Sequence, residues 1–139
     1  MIPRLLIIDT SVLVAGILSN NIESSTARIV NAMLDGRIMH LLYRALLQEY
    51  RGVLLRPKLC KLHGLSKADV VQILSEITAN AIWREPAESG GAADPGNDHL
   101  WGLLQSTVAI LVTGDQLLLD NPPRAASTIL PKTCVTEFL

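Results

Sequence analysis

Twice in this chain a short apolar run ends at an aspartate, and that repeated pairing constrains the fold more than any other feature. Leu5-Leu6-Ile7-Ile8 runs into Asp9, and Val108 to Val112 runs through Thr113-Gly114 into Asp115. Runs of this length, aliphatic at every position, fit strands buried on both faces of a parallel sheet. Parallel neighbours need crossover segments, and the intervening sequence supplies helical patterns to make them.

Ser24 or Ser25 can cap a helix to about Asp35, with Ile29, Val30, Met33 and Leu34 on one face and Gly36 as the stop. A short strand is expected around Ile38 to Leu42. Ala45 to Leu55 has helical spacing, with Glu49 in the middle and Pro57 as its end. Ser66 with Asp69 has the pattern of a capping box opening a helix through Val70, Ile73, Leu74 and Ile77. Glu85 to Asn97, rich in Pro and Gly, is expected to be a surface loop, followed by a helix from Asp98 through Leu100, Leu103 and Leu104. Thr128 to Leu130 is a candidate last strand, with Pro131 in the first turn of a closing helix. The expected architecture is a three-layer α/β/α domain around a parallel sheet of four or five strands. The chain has 139 residues, 49% of them hydrophobic, which suits one domain over 1–139.

Asp9 interrupts the longest apolar stretch, Leu5 to Leu18, which excludes a spanning helix or a signal peptide there and makes a cytoplasmic location the expectation. Cys60 and Cys134 do not form a secreted disulfide framework or a zinc motif and are expected to be buried. The net charge is −1, so overall charge draws no nucleic acid, but six of the 12 basic residues lie between Arg44 and Lys67 with Glu49 as the one acid among them. Arg44, Arg51, Arg56 and Lys58 are therefore candidate contacts to a phosphate backbone, or else an ordinary solvated helix face. Trp83 and Trp101 are too isolated for a base-stacking platform and are expected in the core or an interface.

Open parallel sheets bind ligands beyond the carboxyl ends of their strands, where Asp9 and Asp115 are expected. Each acid has a plain structural alternative. Asp9 and Asp115 can be turn residues or helix caps, Glu49 a surface residue, and Asp98 an N-cap that stabilises by about 1 kcal/mol relative to alanine. If all four converge, their mutual repulsion calls for a cation, and an all-carboxylate donor set favours Mg²⁺ or Mn²⁺ over zinc.

Four segments, Ile7-Ile8-Asp9-Thr10-Ser11-Val12-Leu13-Val14, Leu47-Gln48-Glu49-Tyr50, Asp94-Pro95-Gly96-Asn97-Asp98 and Leu111-Val112-Thr113-Gly114-Asp115, resemble in order and spacing the PIN-domain family. The resemblance covers nearly the whole chain. It is closest to the branch regarded as toxins of toxin–antitoxin pairs, through Arg56-Pro57-Lys58-Leu59 and Glu137-Phe138-Leu139. It implies metal-dependent hydrolysis of RNA, with Asp9, Glu49, Asp98 and Asp115 as catalytic and metal-holding acids. Ser11 and Thr113 match positions that orient those acids through hydrogen bonds. The implied partners are an RNA substrate, a small antitoxin and a second copy in a homodimer. Position 11 is commonly asparagine in the family, and Leu117 stands where a further aspartate is often found, so the number of metal ions stays open.

Two other enzyme classes fit less well. A phosphatase of the haloacid dehalogenase type needs a second aspartate where Ser11 stands, and dinucleotide binding needs more glycines than the isolated Gly16 and Gly114. A module that keeps the fold but acts by binding a partner or RNA, with weak or absent catalysis, is the rival from a different class.

Overall fold

The computed structural model describes residues 5–84, 109–114 and 127–139. In chain order the described elements are β1 (Leu5–Ile8), α1 (Thr10–Leu18), α2 (Ser25–Asp35), β2 (Leu41–Leu42), α3 (Arg44–Leu54), α4 (Pro57–His63), α5 (Lys67–Ala79), β3 (Ile82–Trp83), β4 (Ala109–Val112), β5 (Ser127–Ile129) and α6 (Pro131–Phe138). The helix expected from Asp98 and the loop expected over 85–97 lie outside the described residues.

Every strand pair is parallel. β1 pairs with β4 in the register Leu5–Ala109 to Ile8–Val112, and β4 pairs with β5. β2 and β3 form a second ladder. A bridge between Leu6 and His40, with the Leu6 N–H donating to the Met39 carbonyl at 2.9 Å, joins the two ladders in the order β3-β2-β1-β4-β5. Successive side chains of a strand point to opposite faces. Leu6, Ile7 and Ile8 are all buried, as are Leu111 and Val112, so both faces of the central strands are covered and the expected three layers are present. Each of these aliphatic side chains contributes roughly 1.5–3 kcal/mol by leaving water.

The helices start and stop where local chemistry directs. Asp9 caps α1, and the Ser24 hydroxyl caps α2, whose end is set by Gly36 in the left-handed conformation (φ 71°). The α2 face buries Ala27, Ile29, Val30, Ala32 and Met33, while Leu34 is half-buried. Ser66 and Asp69 form both bonds of a capping box on α5, and its backbone and hydroxyl donors hold the Asp69 carboxyl below its ordinary range. Pro57 does follow the end of α3, but it also occupies the first turn of α4, a helix that its presence as a stop signal conceals.

α1 packs on α2 and α3, α2 on α6, and α3 on α5. The α1–α2 crossing is close. A Cβ at Gly16 would lie 2.4 Å from Val30 Cγ2 and 2.5 Å from the Thr26 carbonyl oxygen. Cys134 is buried in the core and Cys60 is half-buried. Trp83, expected in the core or an interface, is 48% exposed on β3. Among the described residues no helix is long and apolar enough to cross a membrane.

Candidate active site

The β1–β4 register decides which side chains meet. Ile8 lies opposite Val112, and the ladder runs one step further as the Asp9 N–H donates to the Val112 carbonyl at 3.0 Å. Asp9 and Thr113 are therefore neighbours at the carboxyl edge of two adjacent strands, although 104 residues separate them. The buried Thr113 hydroxyl donates to Asp9 Oδ2 at 2.7 Å, and Ser11 Oγ donates to the same oxygen at 2.9 Å. The Thr10 N–H donates to Oδ1 at 2.9 Å. An ionised carboxylate offers about four lone-pair positions. The two on Oδ2 are taken, and Oδ1 keeps one. The cap that α1 requires and the orientation of the acid are thus achieved by one residue.

Glu49 reaches the same corner from α3. Its side chain is exposed and borders the buried stripe of Leu46, Tyr50 and Leu54, so the expectation that it stands beside the apolar face fits. Glu49 Oε2 accepts a 2.6 Å hydrogen bond from Thr10 Oγ1, and Thr10 is only 8% exposed. Next to it, the buried Tyr50 hydroxyl donates to the Ile8 carbonyl. Burial, followed by the neighbouring Tyr43, Asp9 and Glu49, raises the Tyr50 pKa well above its ordinary value, so this donor keeps its proton. Two adjacent residues of α3 thus grip the two sides of Asp9.

A pocket of about 410 Å³ opens at this corner, lined by Asp9, Ser11, Val12, Ala15, Thr26, Gly114 and Pro131. Among the described residues its one carboxylate is Asp9, and Glu49 adjoins it through Thr10. The donors fit a hard divalent cation: the available ligand atoms are carboxylate and hydroxyl oxygens, and Asp9 Oδ1 and Glu49 Oε1 retain acceptor capacity among the described residues. Among the described residues no group of three or more His, Cys, Asp and Glu side chains is placed to hold a metal ion. Asp98 and Asp115, the other two acids expected here, lie outside those residues, as do Trp101 and Leu117. Gly114, which immediately precedes Asp115, lines the pocket.

The candidate basic contacts divide by helical phase. Residues two apart on an α-helix project about 200° from each other. Arg51 therefore stands away from Glu49, and it lines a second groove, of about 540 Å³, with Leu47 of α3 and Val71, Leu74, Ser75, Thr78 and Ala79 of α5. Arg44 sits at the start of α3, while Arg56 and Lys58 are exposed at the start of α4. Thr10 and Tyr50 are the members of the corner that sequence reasoning passed over. The available signal was a hydroxyl and a phenol, each directly beside an acid in an otherwise apolar segment.

The family model described as a PIN domain matches residues 5–117, which takes in Asp9, Glu49 and Thr113 with the strands and helix that carry them. No curated protein matches the chain. PIN domains are generally nucleases and typically use divalent metals. With most of its length matched, and with parallel strands delivering an aspartate to their carboxyl edge, the chain belongs to the PIN-domain family.

Proposed function

We propose that this protein is a metal-dependent endoribonuclease that hydrolyses RNA phosphodiester bonds using Mg²⁺ or Mn²⁺. The observation that carries this reading is the shared tether: Asp9 and Glu49, from segments 40 residues apart, are both hydrogen-bonded to Thr10 at the carboxyl end of β1. Asp9 and Glu49 are the described residues that would hold the cation, and Asp98 and Asp115 complete the set in this proposal. When bound, a divalent cation lowers the pKa of a water and neutralises charge on a scissile phosphate. Ser11 and Thr113 orient Asp9 so that its remaining acceptor position is presented in one direction. Because Ser11 reaches Asp9 at 2.9 Å, serine in place of the commoner asparagine keeps an orienting bond, which favours a working site over a module that only binds. The toxin role, a small antitoxin covering the acidic pocket, and a homodimer complete the proposal on the resemblance of the four motifs.

The test is cleavage of labelled structured and single-stranded RNAs by the purified chain in Mn²⁺, Mg²⁺ or EDTA, beside an Asp9→Asn variant. Cleavage is expected with either metal, to stop in EDTA, and to fall by about 10²-fold or more in the variant. Equal cleavage by the variant would discard the assignment. Absence of both cleavage and Mn²⁺ binding in the parent protein would favour the partner-binding module.

A further inference from the structure

We infer that Thr10 is a positioning residue that fixes the Glu49 carboxylate relative to Asp9 and leaves one Glu49 oxygen for the divalent cation, an assignment that rests on the metal-dependent reading above. Thr10 is the first residue of α1. A threonine deeper in a helix commonly turns its hydroxyl back onto the carbonyl four residues earlier, but the first helical residue has no such carbonyl within its helix. The Thr10 hydroxyl instead crosses to α3 and donates to Glu49 Oε2 at 2.6 Å, the short distance of a bond to a charged acceptor. The same residue's N–H donates to Asp9 Oδ1 at 2.9 Å. One residue therefore sets both acids, its main chain holding one and its side chain the other.

Glu49 needs such a restraint, because an exposed glutamate in mid-helix has several rotamers open to it. The restraint is stiff at its other end. Thr10 is 8% exposed, and β-branching limits the χ1 rotamers of its side chain. Tyr50 keeps the distance between the two elements constant by donating to the Ile8 carbonyl, so that α3 and the end of β1 are joined at two adjacent points. Oε2 is engaged by the bond to Thr10, and among the described residues Oε1 has no hydrogen-bond partner.

The experiment measures Mn²⁺ affinity of the full chain by calorimetry, without RNA, for the parent, Thr10→Val, Thr10→Ser, Glu49→Gln and the double variant Thr10→Val/Glu49→Gln. Each protein is also melted in EDTA, so that loss of fold is separated from loss of metal. Thr10→Val is expected to weaken Mn²⁺ binding about 10-fold or more, and Thr10→Ser to restore it to within about threefold of the parent. The double variant is expected to bind no more weakly than Glu49→Gln, because the hydroxyl acts through that carboxylate. If the valine variant does not fold, Thr10→Ala against Thr10→Ser makes the same comparison of a missing and a present hydroxyl.

Parental affinity in Thr10→Val, or losses that multiply in the double variant, would overturn the assignment while leaving the metal site standing. A parent protein that binds no Mn²⁺ would overturn the metal-dependent reading and this assignment with it.

Discussion

His40 is fully buried beside β1, bridged to Leu6, and among the described residues neither ring nitrogen has a hydrogen-bond partner. Burial lowers its pKa from 6.5 to about 4, because the charged imidazolium is poorly solvated there. Well above pH 6.5 the ring is neutral whether the chain is folded or unfolded, and protonation makes no difference to stability. As the pH falls below 6.5 the unfolded chain takes up a proton that the folded chain refuses until about pH 4, so stability drops across that window by on the order of 3 kcal/mol. Urea unfolding of the parent and of His40→Leu at several pH values checks this. The variant is expected to be more stable at pH 7 by about 1 kcal/mol or more, since an unsatisfied buried polar group is removed, and to lack the decline between pH 6.5 and 4. An unchanged decline would show that other groups titrate on unfolding. At this scale sequence could single out Asp9, Glu49, Ser11 and Thr113, because their neighbours form motifs. For Thr10 it offered only adjacency to an acid, not the partner of its hydroxyl 39 residues away, and it gave no sign of a buried imidazole without partners among the described residues.

Between elements, the tightest tolerance is at Gly16, where α1 crosses α2. A methyl group there would have to displace both a valine side chain and the Thr26 backbone, and backbone cannot rotate aside. Gly16→Ala is therefore expected to destabilise the protein by about 1–3 kcal/mol despite alanine's better helix propensity. Thermal melting measures the loss, and Gly52→Ala on the open face of α3, where an added Cβ meets nothing, is the control expected to be neutral or stabilising. The legible elements were those with punctuation: β1 by its aspartate, α2 by Ser24 and Gly36, α5 by its capping box, α6 by Pro131. α1 was hidden because Leu5 to Leu18 reads as one apolar stretch, in which a buried strand and a helix with little polar surface have no contrasting period. β2 falls inside the strand expected around Ile38 to Leu42, whereas β3, two residues long, is too short to carry a period and exists because the sheet pairs it with β2.

For the molecule as a whole, a net charge of −1 means that any attraction for the proposed RNA substrate rests on local groups. The sequence collected Arg44, Arg51, Arg56 and Lys58 into one basic stretch, but helical phase turns Arg51 toward the α3–α5 groove and away from Glu49. Binding of a single-stranded RNA to the Asp9→Asn variant, measured against salt concentration, discriminates between them. Arg56→Ala is expected to reduce the slope of log affinity against log salt by about 0.7, and Arg51→Ala to leave it unchanged. The opposite pattern would place the strand along the second groove.

The long reach of the Thr113–Asp9 bond also bears on when the site can form during synthesis. β1 is made before its partner β4, and the Thr113 hydroxyl comes 104 residues after Asp9. At 5–20 residues per second, a ribosome needs about 5–20 s to synthesise that interval. Throughout it the nascent chain carries Asp9 without the strand and hydroxyl that orient it. A polysome translating this protein therefore holds growing chains in which Asp9 is not yet oriented, and the corner between β1 and β4 can assemble only after Thr113 has been made.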